Sequence, residues 1–350
     1  MSEAVATDTT PDINQAVEAV VATIERERER EIISRRFGLY DRKETLEQIG
    51  DLLGITRERV RQLEKAILIR LKINGEEGDE AIGGVEKVLV RHLSEMGNAA
   101  RLTNLARAIN PEADERFISK VGFMAELSSR LTILNENDTY YQGVALKDSF
   151  ADDKALKTAV DNIAKTIKAH GVALDGEALF GLVSGYNKPS EVISVASLSK
   201  KLAELRGMWG LVKWPSVNPK NIRDKIYVIL KDGEKPMHFS EIAKSIKNSD
   251  FKRKNVTTQA IHNELIKDRR FVLIGRGIYA LKEWGYKRGT VSEVIADILQ
   301  KADGPMHRDE IVKQVLRSRQ VRETTILLNL QSRPEFKRVA KATYTLATTE

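Results

Sequence analysis

Thr45–Lys72 reads TLEQIGDLLGITRERVRQLEKAILIRLK, and the spacing within it decides how the rest of the chain is read. Leu46, Ile49 and Leu53 recur at helical intervals, so a first helix carries one apolar face. Gly54 ends that helix, because glycine enters the left-handed region without steric cost. Thr56 suits the N-cap of a second helix, with Glu58 in the first turn, where the helix dipole favours an acid. Val60, Leu63, Ile67 and Leu71 give this second helix an apolar stripe. Its opposite side carries Glu58, Arg61, Gln62 and Lys65, flanked by Arg57 and Arg59. The pattern is that of a helix-turn-helix with a polar side to its second helix.

Those residue types match the edges of bases in a major groove. Arginine forks onto guanine, glutamine onto adenine, and glutamate accepts from the cytosine amino group. A helix that only gripped phosphate would gain nothing from Glu58, which phosphate repels. A solvated face laced with its own ion pairs would carry the same charges. The helix-turn-helix spacing around it favours base reading.

The run Glu29–Leu39 (EREIISRRFGL), followed by Glu44–Glu64 (ETLEQIGDLLGITRERVRQLE), closely resembles region four of bacterial sigma factors of the housekeeping type. The resemblance implies contact with the minus-thirty-five promoter element. By position Arg57, Glu58 and Gln62 would read bases, and Arg59 and Arg61 would lie near phosphates or neighbouring proteins. It also implies RNA polymerase core as a partner, with apolar surface docked on the flap of the β subunit. Ala66 and Ile69 stand where such factors often carry basic residues that meet activators. The likeness covers about the first fifth of the chain, and nothing before it resembles the promoter-melting domain. A complete sigma factor is therefore not expected.

The 350 residues suffice for two to five small domains. With no cysteine there are no disulfides, cysteine zinc sites or thiol nucleophile, which fits a reducing cytoplasm. The formal charge of +7 agrees with a polyanion partner. The excess is uneven: the first 31 residues are acidic by about five charges, Ile32–Ile73 is basic by about four, and Asn221–Arg288 is basic by about eight. No apolar run approaches the roughly 18 residues of a membrane span, and Met1–Asp12 lacks the pattern of a signal peptide and reads as a disordered tail. No partner membrane or small-molecule substrate is implied.

Ahead of the helix-turn-helix, Ile13, Val17, Val20, Val21 and Ile24 suit an amphipathic helix. The alternating run Glu25–Glu31 continues it as a solvated face with Glu25–Arg28 and Glu27–Arg30 pairs. Asn74–Gly84, rich in glycine and acids, reads as a linker.

Beyond it the chain repeats. Pro236-Met-His-Phe-Ser-Glu-Ile242 and Pro305-Met-His-Arg-Asp-Glu-Ile311 share the pattern PMHxxEI. Each follows an apolar helix and precedes two more, at Ile242–Ile246 and Val256–Ile266, and at Ile311–Val315 and Glu323–Leu330. Each copy closes on a pair of short strands, with Gly275 and Gly277 turning the first pair. Three helices and a hairpin make a winged helix. A weaker copy lies upstream, with helices at Val85–Leu93, Leu102–Ile109 and Phe117–Leu127 and a wing at Arg130–Leu134 and Tyr140-Tyr141. A fourth has helices near Ala159–Ile167, Leu174–Val183 and Val195–Leu205 and a wing strand at Trp209–Trp214.

The expected fold class is therefore mainly α with short β-hairpin wings. A helix-turn-helix at 13–73 follows the tail at 1–12 and leads tandem winged helices at 83–147, 154–217, 220–286 and 289–348. The 220–286 unit, through KPMHFSEIA and RFVLIGRGIYALKEW, is similar to HARE-type winged helices, such as that of the polymerase delta subunit. The last unit is similar in lesser degree. That resemblance implies nucleic-acid or polymerase association and names no catalytic residue.

In the third winged unit Lys252, Arg253 and Lys254 precede the reading helix, Gln259 and Asn263 lie on it, and Arg276 tips the wing. Such side chains suit phosphate and groove contact. An ordinary basic surface docking on protein would carry them too. His238 and His307, each just before a helix, read as caps, and Trp209, Trp214 and Trp284 as core aromatics that close wings. No Walker loop, HExxH or paired-carboxylate nuclease motif is present, so no catalytic residue, metal or cofactor is expected. The function expected is a transcription factor that binds double-stranded promoter DNA in association with RNA polymerase, in the bacterial cytoplasm at the nucleoid. A delta-like polymerase-docking protein and the DNA-targeting subunit of a restriction or defence system stay open.

Overall fold

The computed structural model describes residues 11–251, 255–286, 289–302 and 304–347. The chain forms two compact units, divided after Val212. It is mainly helical, with small antiparallel sheets of two or three strands.

The first unit begins with α1 (Ile13–Ala22), α2 (Glu27–Phe37), α3 (Leu46–Leu53) and α4 (Arg57–Glu76). The expected continuous helix ahead of the helix-turn-helix is broken: the Thr23 hydroxyl donates to the Val20 carbonyl and ends α1. The expected Glu25–Arg28 and Glu27–Arg30 pairs give way to longer-range contacts. Arg28 donates to the Leu53 carbonyl at 2.6 Å, and the buried Glu29 pairs with Arg70 at 2.8 Å.

The first winged lobe follows: α5 (Glu80–Glu95), β1 (Ala99–Arg101), α6 (Leu102–Ile109), α7 (Glu115–Leu127), β2 (Leu131–Leu134) and β3 (Gly143–Leu146), with sheet order β1-β3-β2. Its second wing strand is Gly143–Leu146, not Tyr140-Tyr141 as the sequence suggested. The expected linker at Asn74–Gly84 is a helical corner: α4 runs to Glu76 and Asp79 caps α5, its carboxylate accepting from Ile82 N–H at 3.0 Å. The helix-turn-helix keeps a small core of Ile32, Ile49 and Val60. Ile67 and Leu71, on the far half of α4, belong instead to the core of the winged lobe, with α1, α5 and Phe123 of α7. One helix thus serves two cores.

A second lobe has α8 (Asp153–His170), α9 (Gly176–Leu182), α10 (Pro189–Ser197), β4 (Leu202–Leu205) and β5 (Met208–Leu211). Its third helix was expected to reach Leu205, but it stops at Ser197 and Leu202–Leu205 pairs with Met208–Leu211 as a strand. The propensity of KLAEL for helix loses to this pairing.

The helix-turn-helix and the second lobe between them cover the first lobe's third helix and wing, and the second lobe's α10 is covered in return. The first lobe's α7 lies under α2, where Phe123 meets Phe37 edge-on at 5.0 Å, and under α4, where Glu126 pairs with Lys72. Its wing lies on the second lobe: Tyr141 N–H donates to the Leu198 carbonyl, Lys200 N–H to that of Thr139, and the Tyr140 hydroxyl to Asp161 at 2.7 Å. In return α10 packs on β1, with the Ser194 hydroxyl donating to the Gly97 carbonyl at 2.6 Å and Arg101 donating to that of Ser197. Gly97 is required there, at φ +95, because a Cβ would run into the Ser190 carbonyl.

The second unit holds two lobes built alike. One has α11 (Ile222–Gly233), β6 (Met237–His238), α12 (Phe239–Asn248), α13 (Thr258–Lys267), β7 (Phe271–Gly275) and β8 (Ile278–Leu281). The other has α14 (Val291–Lys301), β9 (Met306–His307), α15 (Arg308–Ser318), α16 (Glu323–Ser332), β10 (Phe336–Ala340) and β11 (Thr343–Leu346). Their sheets share one order, with the PMH strand against the last strand of the wing. The two lobes are joined through β7: Gln320 N–H donates to the Ile274 carbonyl at 3.0 Å, and the buried Arg319 donates to the carbonyls of Leu273 and Gly289.

Candidate nucleic-acid interface

The turn between α3 and α4 follows from two glycines and two threonines. Thr45 closes a capping box with Gln48 at the start of α3. Gly54 sits at φ +64, and Ile55 N–H returns to the Gly50 carbonyl at 2.9 Å, so the last carbonyls of α3 are satisfied. A Cβ on Gly50 would sit 2.6 Å from the Ile55 carbonyl, so the turn closes only around glycine. The Thr56 hydroxyl then accepts from Arg59 N–H at 3.2 Å and starts α4.

The side of α4 turned away from the core carries Arg57, Glu58, Arg59, Arg61, Gln62 and Lys65, all exposed. Glu58 and Arg61 form a two-point pair at 2.6 and 2.8 Å, with side chains 59% and 54% exposed. Gln62 donates to Glu58 at 3.4 Å, and Arg59 to Gln62 at 3.5 Å. The Arg61 guanidinium holds the Glu58 carboxyl below the usual range, and Glu58 in turn raises Arg61. Exposed side chains held by one another lose less freedom when a groove takes them up.

Around this side the scaffold is fixed by pairs that the sequence did not reveal. Arg35 bridges Glu31 and Glu44 at 3.0 and 2.9 Å, and both carboxylates raise its pKa. Arg36 reaches Glu64 at 3.1 Å and so ties α2 to the middle of α4. No local spacing could have revealed that pair, since its members are 28 residues apart.

In the second unit Gln259 and Asn263 lie on the exposed side of α13, where the Gln259 amide donates to Asn263 at 3.1 Å. Arg276 is exposed at the turn between β7 and β8. Lys252, Arg253 and Lys254 lie outside the described residues. His238 and His307 are N-caps, of α12 and α15; the His238 ring accepts from Ser240 N–H and the His307 ring from Asp309 N–H. Trp209 is buried on β5, and Trp284 packs against the small core of Val272, Ile274 and Ala280. Among the described residues no cluster of His, Asp and Glu has the geometry to hold a metal ion, and no helix is long and apolar enough to cross a membrane.

Residues 26–72, from just before α2 through most of α4, match the family model of sigma-70, region 4. Region 4 is a DNA-binding, promoter-recognition domain of RNA polymerase sigma factors. The chain is 43% identical over 61 residues to the RNA polymerase sigma factor SigA1 of Synechococcus elongatus, covering 17% of this chain and 15% of that protein. It is 48% identical over 46 residues to the sigma factor sigB of Arabidopsis thaliana, covering 13% and 8%. Against the sigma factor RpoD of Helicobacter pylori it is 43% identical over 63 residues, covering 17% and 9%. The chain thus spans only about a tenth of the length of the relatives it matches. The family match covers α2, α3 and most of α4.

Proposed function

We infer that the chain is a promoter-associated transcription factor that reads a short duplex motif with α4, in company with RNA polymerase core. The observation that carries this reading is the coincidence of two features. The region-four match ends within α4, and the six polar residues from Arg57 to Lys65 on that helix are solvent-exposed. In this role Arg57, Glu58 and Gln62 meet base edges, while Arg59, Arg61 and Lys65 flank them near phosphate. The flap of the β subunit is the proposed polymerase contact, and the bacterial nucleoid the place of action. Arg276, with Gln259 and Asn263, adds a second and weaker contact to DNA, and tethering raises its local concentration.

The four winged lobes do not share this work equally. The first two spend α7, α10 and the first lobe's wing on protein contacts, so the first serves as a frame for α4 and the second braces the first. This differs from a plain string of DNA-binding domains.

Selection of bound sequences from random duplex, with and without core polymerase, tests the reading. Enrichment of one short motif, lost when Arg57 and Gln62 are replaced by alanine, is the expected result. No enrichment in either arm overturns it.

A further inference from the structure

The last winged lobe carries a cluster of cations that the reading of α4 does not use. Arg333, Lys337, Arg338 and Lys341 fall within nine residues, on β10, its approach and its turn, and all four are exposed. Among the described residues no carboxylate pairs with any of them; Arg338 donates only to the Ala340 carbonyl at 3.2 Å. Glu335 is the one acid within this stretch. Elsewhere on the same lobe Lys301 pairs with Asp297 and Arg308 with Asp309, while Lys313, Arg317 and Arg322 are spread over other elements. Four unmatched cations on one hairpin repel one another, and a polyanion relieves that repulsion.

The hairpin is also free to be used. The first lobe's wing is covered by its neighbour, and the outer edge of β7 in the third lobe is taken by Arg319 and Gln320. The turn of the last wing, by contrast, is exposed at Val339, Ala340 and Lys341, and Ala342 closes it in the left-handed region at φ +56. Its helix α16 (ETTILLNLQS) has no lysine or arginine. The Asn329 amide on α16 is taken up within the lobe, accepting from the Ser292 hydroxyl and donating to the Thr325 carbonyl, so the lobe's positive charge is offered by the hairpin and not by the helix.

We propose that this wing is a sequence-independent clamp for the phosphate backbone of duplex DNA, made by Lys337, Arg338 and Lys341 with Arg333 beside them. It rests on the reading that the chain binds DNA. Each cation that neutralises a phosphate releases a counterion, so affinity falls with salt.

The test is the salt dependence of binding by the full chain, on both a selected motif and an unrelated duplex. Changing Lys337, Arg338 and Lys341 together to Ala lowers the slope of log K against log salt by about 2.7, at about 0.9 per phosphate contact. At 0.15 M salt that is a loss of roughly a hundredfold on either duplex, with sequence preference intact. A charge-keeping variant, K337R/R338K/K341R, keeps the wild-type slope. Unchanged slope in the alanine variant overturns the clamp while leaving α4 as reader. Tighter binding to RNA duplex than to DNA duplex also overturns it. A wild-type chain that binds no duplex removes both readings.

Discussion

Glu58 and Arg61, one turn apart on the open side of α4, hold each other through two hydrogen bonds of 2.6 and 2.8 Å. A glutamate that is to accept from a cytosine amino group must turn part of its carboxylate away from that arginine. On the proposed reading of α4, the pair sets which of the two reaches a base. Replacing Glu58 with Ala frees Arg61 for phosphate or guanine, so base preference at one position relaxes by about tenfold while total affinity changes little. Binding to a panel of single-position duplex variants measures both. If neither changes, α4 does not lie in the groove as proposed.

The same pair gives a pH signature. Arg61 lowers the Glu58 pKa below its ordinary value of 4.5. Folding then favours the ionised form. The contribution is complete above the unfolded-state value and is lost as pH falls through the lower, folded-state value. Carboxyl-detected NMR is expected to show Glu58 titrating below 4.5 in the wild type and moving upward in Arg61→Gln. A midpoint that stays put would show that the pair does not persist in solution.

Leu71 lies in the core of the first winged lobe although its helix begins as the second helix of the helix-turn-helix. It is 1% exposed, so Leu71→Ala leaves a cavity and costs about 2–5 kcal/mol. Because α4 enters both cores, the helix-turn-helix and the winged lobe unfold together. Hydrogen exchange checks this: amides of α3 and of β2 lose protection in parallel. Loss confined to α3 would show that the two cores are independent.

The helix-turn-helix was legible because its signals are local. Thr45, Gly54 and Thr56 are caps and a turn, and they act on residues within one helical turn of themselves. The PMHxxEI repeat was legible for the same reason: the strand, the capping histidine and the start of the next helix fall within seven residues. What was hidden depends on distant partners. Asn74–Gly84 has the composition of a linker, yet Gly75 gives way to Ile82 there, where a Cβ would approach the Ile82 side chain at 3.0 Å. The covering of the first lobe's wing joins residues some sixty positions apart, such as Glu136 and Lys200, at 2.7 Å. The cations of the last wing do not stand out in sequence because their segment is only slightly basic overall; their gathering on one exposed hairpin is what sets them apart.

Tyr140 joins the first two lobes through its hydroxyl, which donates to Asp161. Burial, then that hydrogen bond and the Asp161 charge, push its pKa from 10.0 up to about 12. The raised value means that folding favours the protonated phenol. The stabilisation is whole below pH 10 and is lost as pH rises toward 12. Tyr140→Phe removes this dependence, so the stability of the first unit falls less steeply between pH 10 and 12. Urea denaturation across that range measures it, and equal slopes for wild type and variant would place the phenol outside the coupling.

His238 caps α12 with its ring nitrogen, and Glu241 answers by accepting from His238 N–H at 3.3 Å. Its ring also lies 4.4 Å from that of Phe239, which in turn lies 5.0 Å from His262 on α13. The histidine thus orders both the start of α12 and the packing beneath the exposed side of α13. His238→Asn keeps a capping acceptor but removes the ring, whereas His238→Ala removes both. Loss of the cap costs about 1 kcal/mol, so the alanine variant is less stable than the asparagine variant by that amount. If the two are equally destabilised, the ring contact rather than the cap is what the third lobe requires. In that case both variants, and not the alanine alone, loosen the α13 surface that bears Gln259 and Asn263, which fluorescence from Trp284 and amide exchange in α13 would register together.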